Sequence, residues 1–274
     1  MSGGIEMEEG TGLTRTSEPI AVIVGGANGI GAATARVMRA RGWVVVIGDR
    51  DMRAGEELAR ELGGAAYEID VAEAGSLAAL AEISEREIGA TTALIVSSGV
   101  FQPNEPIETS DAGLFEQITR INLAGTYHAD RAFGTRMAAR GRGSIVNLSS
   151  VTGHGSTPLN IYAPTKAAII NLSKSLAGEW GRSGVRVNSV SPGITLVPRV
   201  VERKRAGNRY PADLDQRMAL GRCVEPSEVG EAVEFLASDR ASAITGTDLV
   251  VDCGWITASL WEAYGGTRPP RQGG

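Results

Sequence analysis

The sequence contains few residues of the kinds that mark a metal site, a disulfide framework or a surface for nucleic acid. Only two of its 274 residues are cysteines and two are histidines, and Cys223 and Cys253 have the spacing of neither a disulfide framework nor a metal site. The net charge is −5 without a basic stripe, which argues against nucleic acid as a partner. Apolar runs do not exceed strand length, so no membrane contact is predicted. We therefore expect a cytoplasmic protein without a metal ion.

The length of the chain suits one large α/β domain with an extension at each end. Residues 1–19 are rich in Gly, Glu and Thr, and we expect a flexible tail there rather than a signal peptide. Residues 20–254 alternate short apolar runs with segments of helical spacing, and residues 255–274 form a C-terminal tail. This alternation predicts a Rossmann-like, doubly wound domain, in which helices flank both faces of a seven-stranded parallel sheet. The predicted strands are 20–24, 43–48, 65–69, 92–96, 143–148, 185–190 and 247–251. The predicted helices are 29–41, 52–62, 74–88, 110–139, 162–181 and 226–238.

Six residues closely follow the ends of predicted strands. In doubly wound sheets, ligands bind beyond the carboxyl ends of the strands, so we expect these six residues to share one ligand site. They are Gly25, Asp49, Asp70, Gly99, Ser150 and Pro192.

A glycine-rich turn connects the first predicted strand to the first predicted helix. Strand, glycine turn and helix in this order are the context of a dinucleotide-binding fingerprint. Gly25 permits the tight turn, Gly29 lets the backbone approach a pyrophosphate, and Gly31 lets the helix pack close to the sheet. The helix N-terminus offers free N–H groups and partial positive charge to that pyrophosphate. Asn28 and Ile30 lie in the same turn and belong to the predicted cofactor site.

The second predicted strand leads to Asp49, 18 residues after Gly31. A carboxylate at this point can accept hydrogen bonds from the ribose hydroxyls of a dinucleotide and would repel a 2′-phosphate. Arg50 follows and would attract such a phosphate. Because the ribose lies at the end of the second strand and the glycine turn contains no Lys or Arg, we predict NAD, with NADP as the alternative.

Tyr162 and Lys166 are four residues apart, which places them on one face of a helix. A lysine ammonium beside a phenol favours the phenolate and lowers the pKa of the tyrosine. The pair can therefore act as a general base or acid at working pH. Such pairs also arise by chance in many helices, so this interpretation depends on the glycine turn upstream.

With that turn, the chain resembles the short-chain dehydrogenase/reductase family from about Ile20 to Gly254. The glycine motif of the family, Thr-Gly-x-x-x-Gly-x-Gly, occurs here with Val24 in place of the Thr. Other family motifs occur in the same order along the chain. They match Asp70-Val71, Asn122, Ser150, Pro192-Gly193 and the segment 251–254.

The resemblance implies an NAD-dependent oxidoreductase that interconverts a secondary alcohol, such as a sugar, polyol or cyclic alcohol, and its ketone. Tyr162 would exchange a proton with the substrate, and Lys166 would lower the pKa of Tyr162 and bind the nicotinamide ribose. Ser150 would hold the substrate oxygen, and Asn122 would support a water that links Lys166 to solvent. The cofactor-binding residues implied are Gly25, Asn28, Gly29, Ile30, Gly31, Asp49, Arg50, Asp70, Val71, Gly99, Tyr162, Lys166, Pro192 and Ile194.

Three departures from the family pattern leave alternatives open. The family's Asn-Asn-Ala-Gly is Val-Ser-Ser-Gly here, at residues 96–99. Val197 stands where the family often has a threonine that bonds the nicotinamide amide, and Thr195 is a nearby alternative. The interval from Ser150 to Tyr162 is one residue shorter than the commonest spacing. Ser149 is therefore an alternative active serine, although the family motif aligns on Ser150.

Residues 194–222 correspond to the mobile substrate lid of the family. Their positive charges indicate either an anionic substrate or a solvated surface. These charges belong to Arg199, Arg203, Lys204, Arg205 and Arg209.

Three further features keep two interpretations each. His154 either lines the pocket or is a loop residue without function. The tail aromatics Trp255, Trp261 and Tyr264 either wall the pocket or pack at a subunit interface, which we favour because the family resemblance implies a homotetramer or homodimer. As to function, the alternatives are an NADPH-dependent carbonyl reductase, supported by Arg50, and a non-catalytic NAD(H)-binding redox sensor.

Overall fold

The computed structural model describes residues 18–207, 210–269 and 271. The predicted N-terminal tail, residues 1–19, lies almost wholly outside the described residues, as does Arg209 of the predicted lid. Among the described residues, none of the helices combines the length and apolarity needed to cross a membrane.

Seven parallel strands form one sheet in the order β3-β2-β1-β4-β5-β6-β7, which confirms the predicted fold. Strand order reverses between β1 and β4, and at such a switch point a crevice forms beyond the carboxyl ends of the strands. The strands are β1 (Ile20–Val24), β2 (Val44–Asp49), β3 (Ala65–Glu68), β4 (Ala93–Val96), β5 (Gly143–Leu148), β6 (Val185–Pro192) and β7 (Asp248–Val251).

Helices cover both faces of the sheet, which explains why β1 and β4 are continuous apolar runs. They are α1 (Gly29–Ala40), α2 (Met52–Leu62), α3 (Ala74–Glu87), α4 (Ala112–Ile118), α5 (Gly125–Arg140), α6 (Tyr162–Trp180), α7 (Pro198–Arg205), α8 (Pro226–Ala237) and α9 (Trp255–Ala258). Side chains of β1 alternate between the two faces. Ala21 and Ile23 pack with α1, α2 and α8, whereas Val22 and Val24 pack with α3, α5 and α6. The sheet is therefore held between two apolar cores.

One predicted helix was wrong in detail, and α7 was not predicted. The predicted helix 110–139 consists of α4, a π-helical turn at Thr119–Ala124, and α5. The segment 194–222 contains α7, whose first residue is Pro198. A helix of only eight residues gives little periodic signal and is stabilised mostly by its tertiary contacts.

Candidate active site

A cavity of about 890 Å³ lies beyond the carboxyl ends of the strands. Its lining contains every residue predicted for the site except Gly31 and Asn122. The sheet thus brings together residues that are far apart in the sequence. The predicted residues that line the cavity are Gly25, Asn28, Gly29, Ile30, Asp49, Arg50, Asp70, Val71, Gly99, Ser150, Tyr162, Lys166, Pro192 and Ile194.

The glycine turn is shaped by close backbone contacts. Gly25 has a φ of +77°, and a Cβ atom there would lie 2.5 Å from the backbone nitrogen of Ser98. A Cβ atom on Gly31 would lie 2.1 Å from the carbonyl oxygen of Gly25, so Gly31 supports the turn from behind instead of lining the cavity. Helix α1 begins at Gly29, within the lining, so its positive N-terminal end faces the cavity.

Asp49 is tied to the glycine turn. Its carboxylate accepts hydrogen bonds from the backbone N–H groups of Ala27 and Asp51, each at 3.0 Å. Arg50 lines the cavity beside it. The lining therefore contains both the carboxylate that favours ribose hydroxyls and the guanidinium that favours a 2′-phosphate.

The loop after β3 contributes Asp70 and Val71 to the lining. The Asp70 carboxylate accepts a hydrogen bond from the backbone N–H of Ala72 at 2.9 Å. It does not cap α3, because the residue at the cap position is Glu73. The carbonyl oxygen of Val71 would lie 3.0 Å from a Cβ atom on Gly125, so this loop packs directly on the start of α5.

Tyr162 and Lys166 lie on the first two turns of α6, and both side chains are buried. The Lys166 ammonium lies 5.5 Å from the centroid of the Tyr162 ring and donates a hydrogen bond of 2.8 Å to the carbonyl oxygen of Leu148. Burial lowers the pKa of Lys166 to about 8, so the amine keeps its proton at neutral pH. The phenol is therefore held next to a buried cation.

Gln102, which the sequence analysis missed, positions the start of α6. Its side-chain oxygen accepts hydrogen bonds from the backbone N–H groups of Ile161 at 2.8 Å and Tyr162 at 3.1 Å. Its amide nitrogen donates to Asn160 at 2.7 Å. These partners are about 60 residues away in the sequence, so no local pattern indicates them.

The two candidate serines have different partners. The Ser149 hydroxyl donates to the carbonyl oxygen of Lys166 at 2.7 Å and so joins β5 to α6. The Ser150 hydroxyl oxygen accepts hydrogen bonds from the backbone N–H and the hydroxyl of Thr152, at 3.2 and 3.0 Å. Among the described contacts, only Ser150 therefore keeps a hydroxyl proton for a substrate oxygen.

Asn122 lies in the π-helical turn and braces the loop after β4. Its side-chain oxygen accepts from the backbone N–H of Val100 at 2.8 Å, and its amide donates to the Val100 carbonyl at 3.0 Å. A Cβ atom on Gly99 would lie 3.4 Å from the Asn122 side-chain oxygen and 3.8 Å from Lys166 Nζ. Gly99 therefore leaves open the space between these two side chains.

Pro192, the last residue of β6, and Ile194 line the cavity together with both threonine-position candidates, Thr195 and Val197. The Thr195 hydroxyl donates to the carbonyl oxygen of Gly193 at 3.1 Å. Because Val197 has no hydroxyl, Thr195 contributes the hydroxyl in this part of the wall.

His154 does not line the cavity. Its Nε2 lies 2.8 Å from a carboxylate oxygen of Asp248 and 3.3 Å from the Ser191 hydroxyl, at the β6–β7 edge. Of the tail aromatics, only Trp255 lines the cavity, whereas Trp261 and Tyr264 are exposed. Packing of these two rings at a subunit interface stays a prediction. No cluster of His, Cys, Asp or Glu suited to a metal ion occurs in the described part of the chain.

A buried acid on α5 is bonded to strand β5. Asp130, on α5, is fully buried and accepts a hydrogen bond of 2.9 Å from the side chain of Asn147 on β5. Its other carboxylate oxygen has no partner among the described residues. Burial raises the pKa of Asp130 to about 8, so the folded protein keeps this acid neutral at pH 7.

This acid makes stability depend on pH. Between its ordinary pKa of 3.8 and about 8, Asp130 holds a proton in the folded state that the unfolded chain releases. The free energy of unfolding therefore falls as the pH rises through this window. We expect Asp130→Asn to abolish this decrease in the free energy of unfolding, which amounts to a few kcal/mol at most. Denaturant unfolding of both proteins from pH 4.5 to 8.5 measures it, with Asp239→Asn, an exposed carboxylate, as control. Parallel pH curves for wild type and Asp130→Asn would contradict the prediction.

Comparisons with known proteins cover nearly the whole chain. The family model described as enoyl-(acyl carrier protein) reductase matches residues 25–256. A cis-4-hydroxycyclohexanecarboxylate dehydrogenase from Sinomonas cyclohexanicum is 38% identical over 249 residues, which are 87% of this chain and 97% of that protein.

The chain belongs to the short-chain dehydrogenase/reductase family.

Two further proteins similar to this family member have names that refer to a polyol or a sugar phosphate. A galactitol 2-dehydrogenase (L-tagatose-forming) from Cereibacter sphaeroides is 35% identical and covers 86% of this chain and 94% of its own. A crystal structure described as ribose-5-phosphate isomerase from Brucella melitensis 16M has a TM-score of 0.89 and 44% identity, over 93% of this chain and 99% of that one. The short-chain dehydrogenase/reductase described here is an NAD(P)-dependent alcohol oxidoreductase, as the sequence predicts.

Proposed function

We propose that the protein oxidises a secondary alcohol, namely a sugar, polyol or cyclic alcohol, to its ketone with NAD. The observation that carries the proposal is that Tyr162 and Lys166 share one cavity with the glycine turn and Asp49. A proton-transfer pair and a dinucleotide cradle are thus parts of one site. The named relatives, which act on a cyclic alcohol and on galactitol, support this substrate range.

The residues present fit a dinucleotide. The cavity extends from the ends of β2 and β3, where adenosine would bind, to those of β5 and β6. Gly25, Gly29 and the N-terminus of α1 would hold the pyrophosphate, and Asp49 the ribose hydroxyls. Lys166 would also bind the second ribose. A bound NAD would supply the acceptor for the hydride that leaves the carbinol carbon.

Proton transfer falls to the protein. Tyr162, as phenolate, accepts the proton of the substrate hydroxyl, and the Lys166 ammonium stabilises that phenolate. Ser150 donates its free hydroxyl proton to the substrate oxygen and so orients it. The space that Gly99 leaves between Asn122 and Lys166 suits a water that returns the proton to solvent.

Two alternatives predict different results. An NADPH-dependent carbonyl reductase is favoured by Arg50, which lines the cavity beside Asp49. A redox sensor would bind NAD(H) without turnover, and it has no use for the Ser150, Tyr162 and Lys166 constellation. A cytoplasmic location and a homotetrameric or homodimeric state are part of the proposal, and sedimentation analysis measures the oligomeric state.

Cofactor reduction at 340 nm tests the proposal. The purified protein is incubated with NAD or NADP and a panel of polyols, sugars, cyclic alcohols and hydroxy acids, with ribose 5-phosphate included because of the Brucella structure. We expect NADH formation with at least one secondary alcohol. Turnover only with NADP favours the reductase. Conversion of ribose 5-phosphate to a ketose without cofactor reduction would contradict the proposal, as would tight NADH binding without any turnover.

Cofactor choice provides a separate prediction. Asp49→Ser removes the carboxylate that repels a 2′-phosphate, so the preference for NAD over NADP should fall by about 10- to 100-fold. The absolute KM for NAD should also rise, because Asp49 holds the Ala27 amide of the glycine turn. The ratio of kcat/KM for the two cofactors is the measurement, with Asp111→Ser, outside the cavity, as control. An unchanged ratio would show that Asp49 does not select the cofactor.

A further inference from the structure

Carboxylates are confined to one side of the cavity. Those in the lining lie on the adenosine side: Asp49 is the last residue of β2, Asp51 follows β2, and Asp70 follows β3. The lid side, lined by residues of the segment 194–222, carries the guanidinium groups of Arg199 and Arg217 and no carboxylate among the described lining residues. The lid side therefore presents two guanidinium groups to a ligand, and Arg217 is also paired with Asp213, an acid that lies outside the lining.

Arg217 has a donor that the protein leaves unused. It lies at the end of a short 3₁₀ helix, Leu214–Arg217, and one terminal nitrogen forms a half-exposed pair with Asp213 at 3.1 Å. Its Nε atom is buried and has no hydrogen-bond partner among the described residues. A buried, unpaired N–H costs about 1–3 kcal/mol, and because Nε has almost no accessible surface, a ligand in the cavity reaches it only after a shift of the Arg217 side chain.

The aromatic ring of Phe101 lies in contact with both Arg199 and Tyr162. The Phe101 ring stacks on the Tyr162 ring with centroids 5.0 Å apart, and the Arg199 guanidinium lies 4.4 Å from the Phe101 centroid. Cation–π contact of this kind orients a guanidinium. The Phe101 ring therefore links the guanidinium of Arg199 to the phenol of Tyr162.

The elements that carry the two arginines are joined to each other. Lys204, on α7 with Arg199, donates to the Asp215 carboxylate at 2.6 Å, and Asp215 lies in the 3₁₀ helix that ends at Arg217. Beneath this ion pair, Leu214 packs in a small buried cluster with Met218 and Cys223. The two cations therefore belong to one connected wall.

The rest of that wall is largely apolar. Phe101, Val200, Leu214 and Trp255 line the lid side, and they suit a hydrocarbon ring better than a chain of hydroxyls. We propose that the substrate is a cyclic secondary alcohol bearing a carboxylate, bound through that carboxylate by Arg199 and Arg217. This inference rests on the proposed function, since it assigns the hydroxyl to Tyr162.

A matched pair of substrates tests this assignment. cis-4-Hydroxycyclohexanecarboxylate and its primary amide have the same ring and hydroxyl but differ in charge. For the wild type, we expect kcat/KM to favour the carboxylate at least tenfold. Arg199→Gln and Arg217→Gln should each lower this preference by about 10- to 100-fold, because each removes a charge-assisted hydrogen bond. Arg205→Gln, an exposed change on α7 outside the cavity, should leave the preference unchanged.

Equal kcat/KM for the acid and the amide in the wild type would overturn the assignment. So would variants that remain folded by thermal unfolding and retain the wild-type preference, or a stronger preference for ribose 5-phosphate. If neither compound is oxidised, calorimetry in the presence of NADH decides between the two proposals. Tighter binding of the carboxylate, lost in Arg217→Gln, supports the anion site and rejects only the proposed reaction. Equal binding of both compounds rejects the anion site.

Discussion

Tyr162→Phe should lower kcat by about 10²–10⁴-fold, the contribution of a positioned general acid or base. The substitution removes only the phenolic oxygen. Because the ring remains, the stack with Phe101 and the start of α6 are preserved. The dissociation constant for NADH should therefore change little. Single-turnover absorbance and fluorescence titration with NADH measure the two quantities separately.

Tyr264→Phe is the control, since that ring is exposed and lies outside the active-site cavity. It should retain wild-type kcat. Full activity in Tyr162→Phe would mean that another group takes the substrate proton, and the mechanism proposed here would fail. A parallel loss of NADH affinity and kcat would instead indicate that the phenol acts mainly in binding the cofactor and not in proton transfer.

Lys166→Met should also abolish most turnover, by about 10²-fold or more, because it removes the cation that stabilises the phenolate. Methionine keeps much of the buried apolar stem. It cannot replace the hydrogen bond to the Leu148 carbonyl, which costs roughly 1–3 kcal/mol. Lys174→Met, an exposed change on the same helix, should leave kcat near the wild-type value.

Comparison with the same variant also isolates the effect of Lys166 on how the stability of the wild type depends on pH. Since burial lowers the pKa of Lys166 from its ordinary 10.5 to about 8, the unfolded chain binds a proton between these values that the folded protein has released. The free energy of unfolding of the wild type therefore rises with pH in this window, relative to Lys166→Met, by about 3 kcal/mol when complete. Denaturant unfolding of the cofactor-free proteins from pH 7 to 10.5 tests this. A constant difference between the two proteins would show that the amine titrates normally.

These predictions concern residues that local sequence patterns identify. Gly25 and Gly31 follow a buried strand, and Tyr162 and Lys166 share one helical face. A spacing of this kind follows from the geometry of a single element, so it is visible before any tertiary contact is known. The apolar runs of β1 and β4 are equally local, and their predicted bounds agree with the structure within one residue.

The features that were missed depend on contacts between distant segments. Gln102 bonds to the start of α6 from about 60 residues away, and its loop has no periodicity. The π-helical turn around Asn122 interrupts what the spacing predicts to be one helix, and the side chain of Asn122 within this turn is bonded to the backbone of the distant Val100. His154 follows the active-site serine in sequence, yet its ring is bonded to Asp248 outside the cavity.

The sequence alone determined the family, the parallel sheet and the residues expected to bind the cofactor and to transfer the proton, because strand length, helical spacing and turn glycines are local properties. Tertiary structure decided what these residues are bonded to. It distinguished Ser150 from Ser149 by their hydrogen-bond partners, and it placed Arg199 and Arg217 on one wall of the cavity. Burial is likewise a tertiary property. The lowered pKa of Lys166 and the raised pKa of Asp130 arise because folding removes both groups from water, which no spacing in the chain reports.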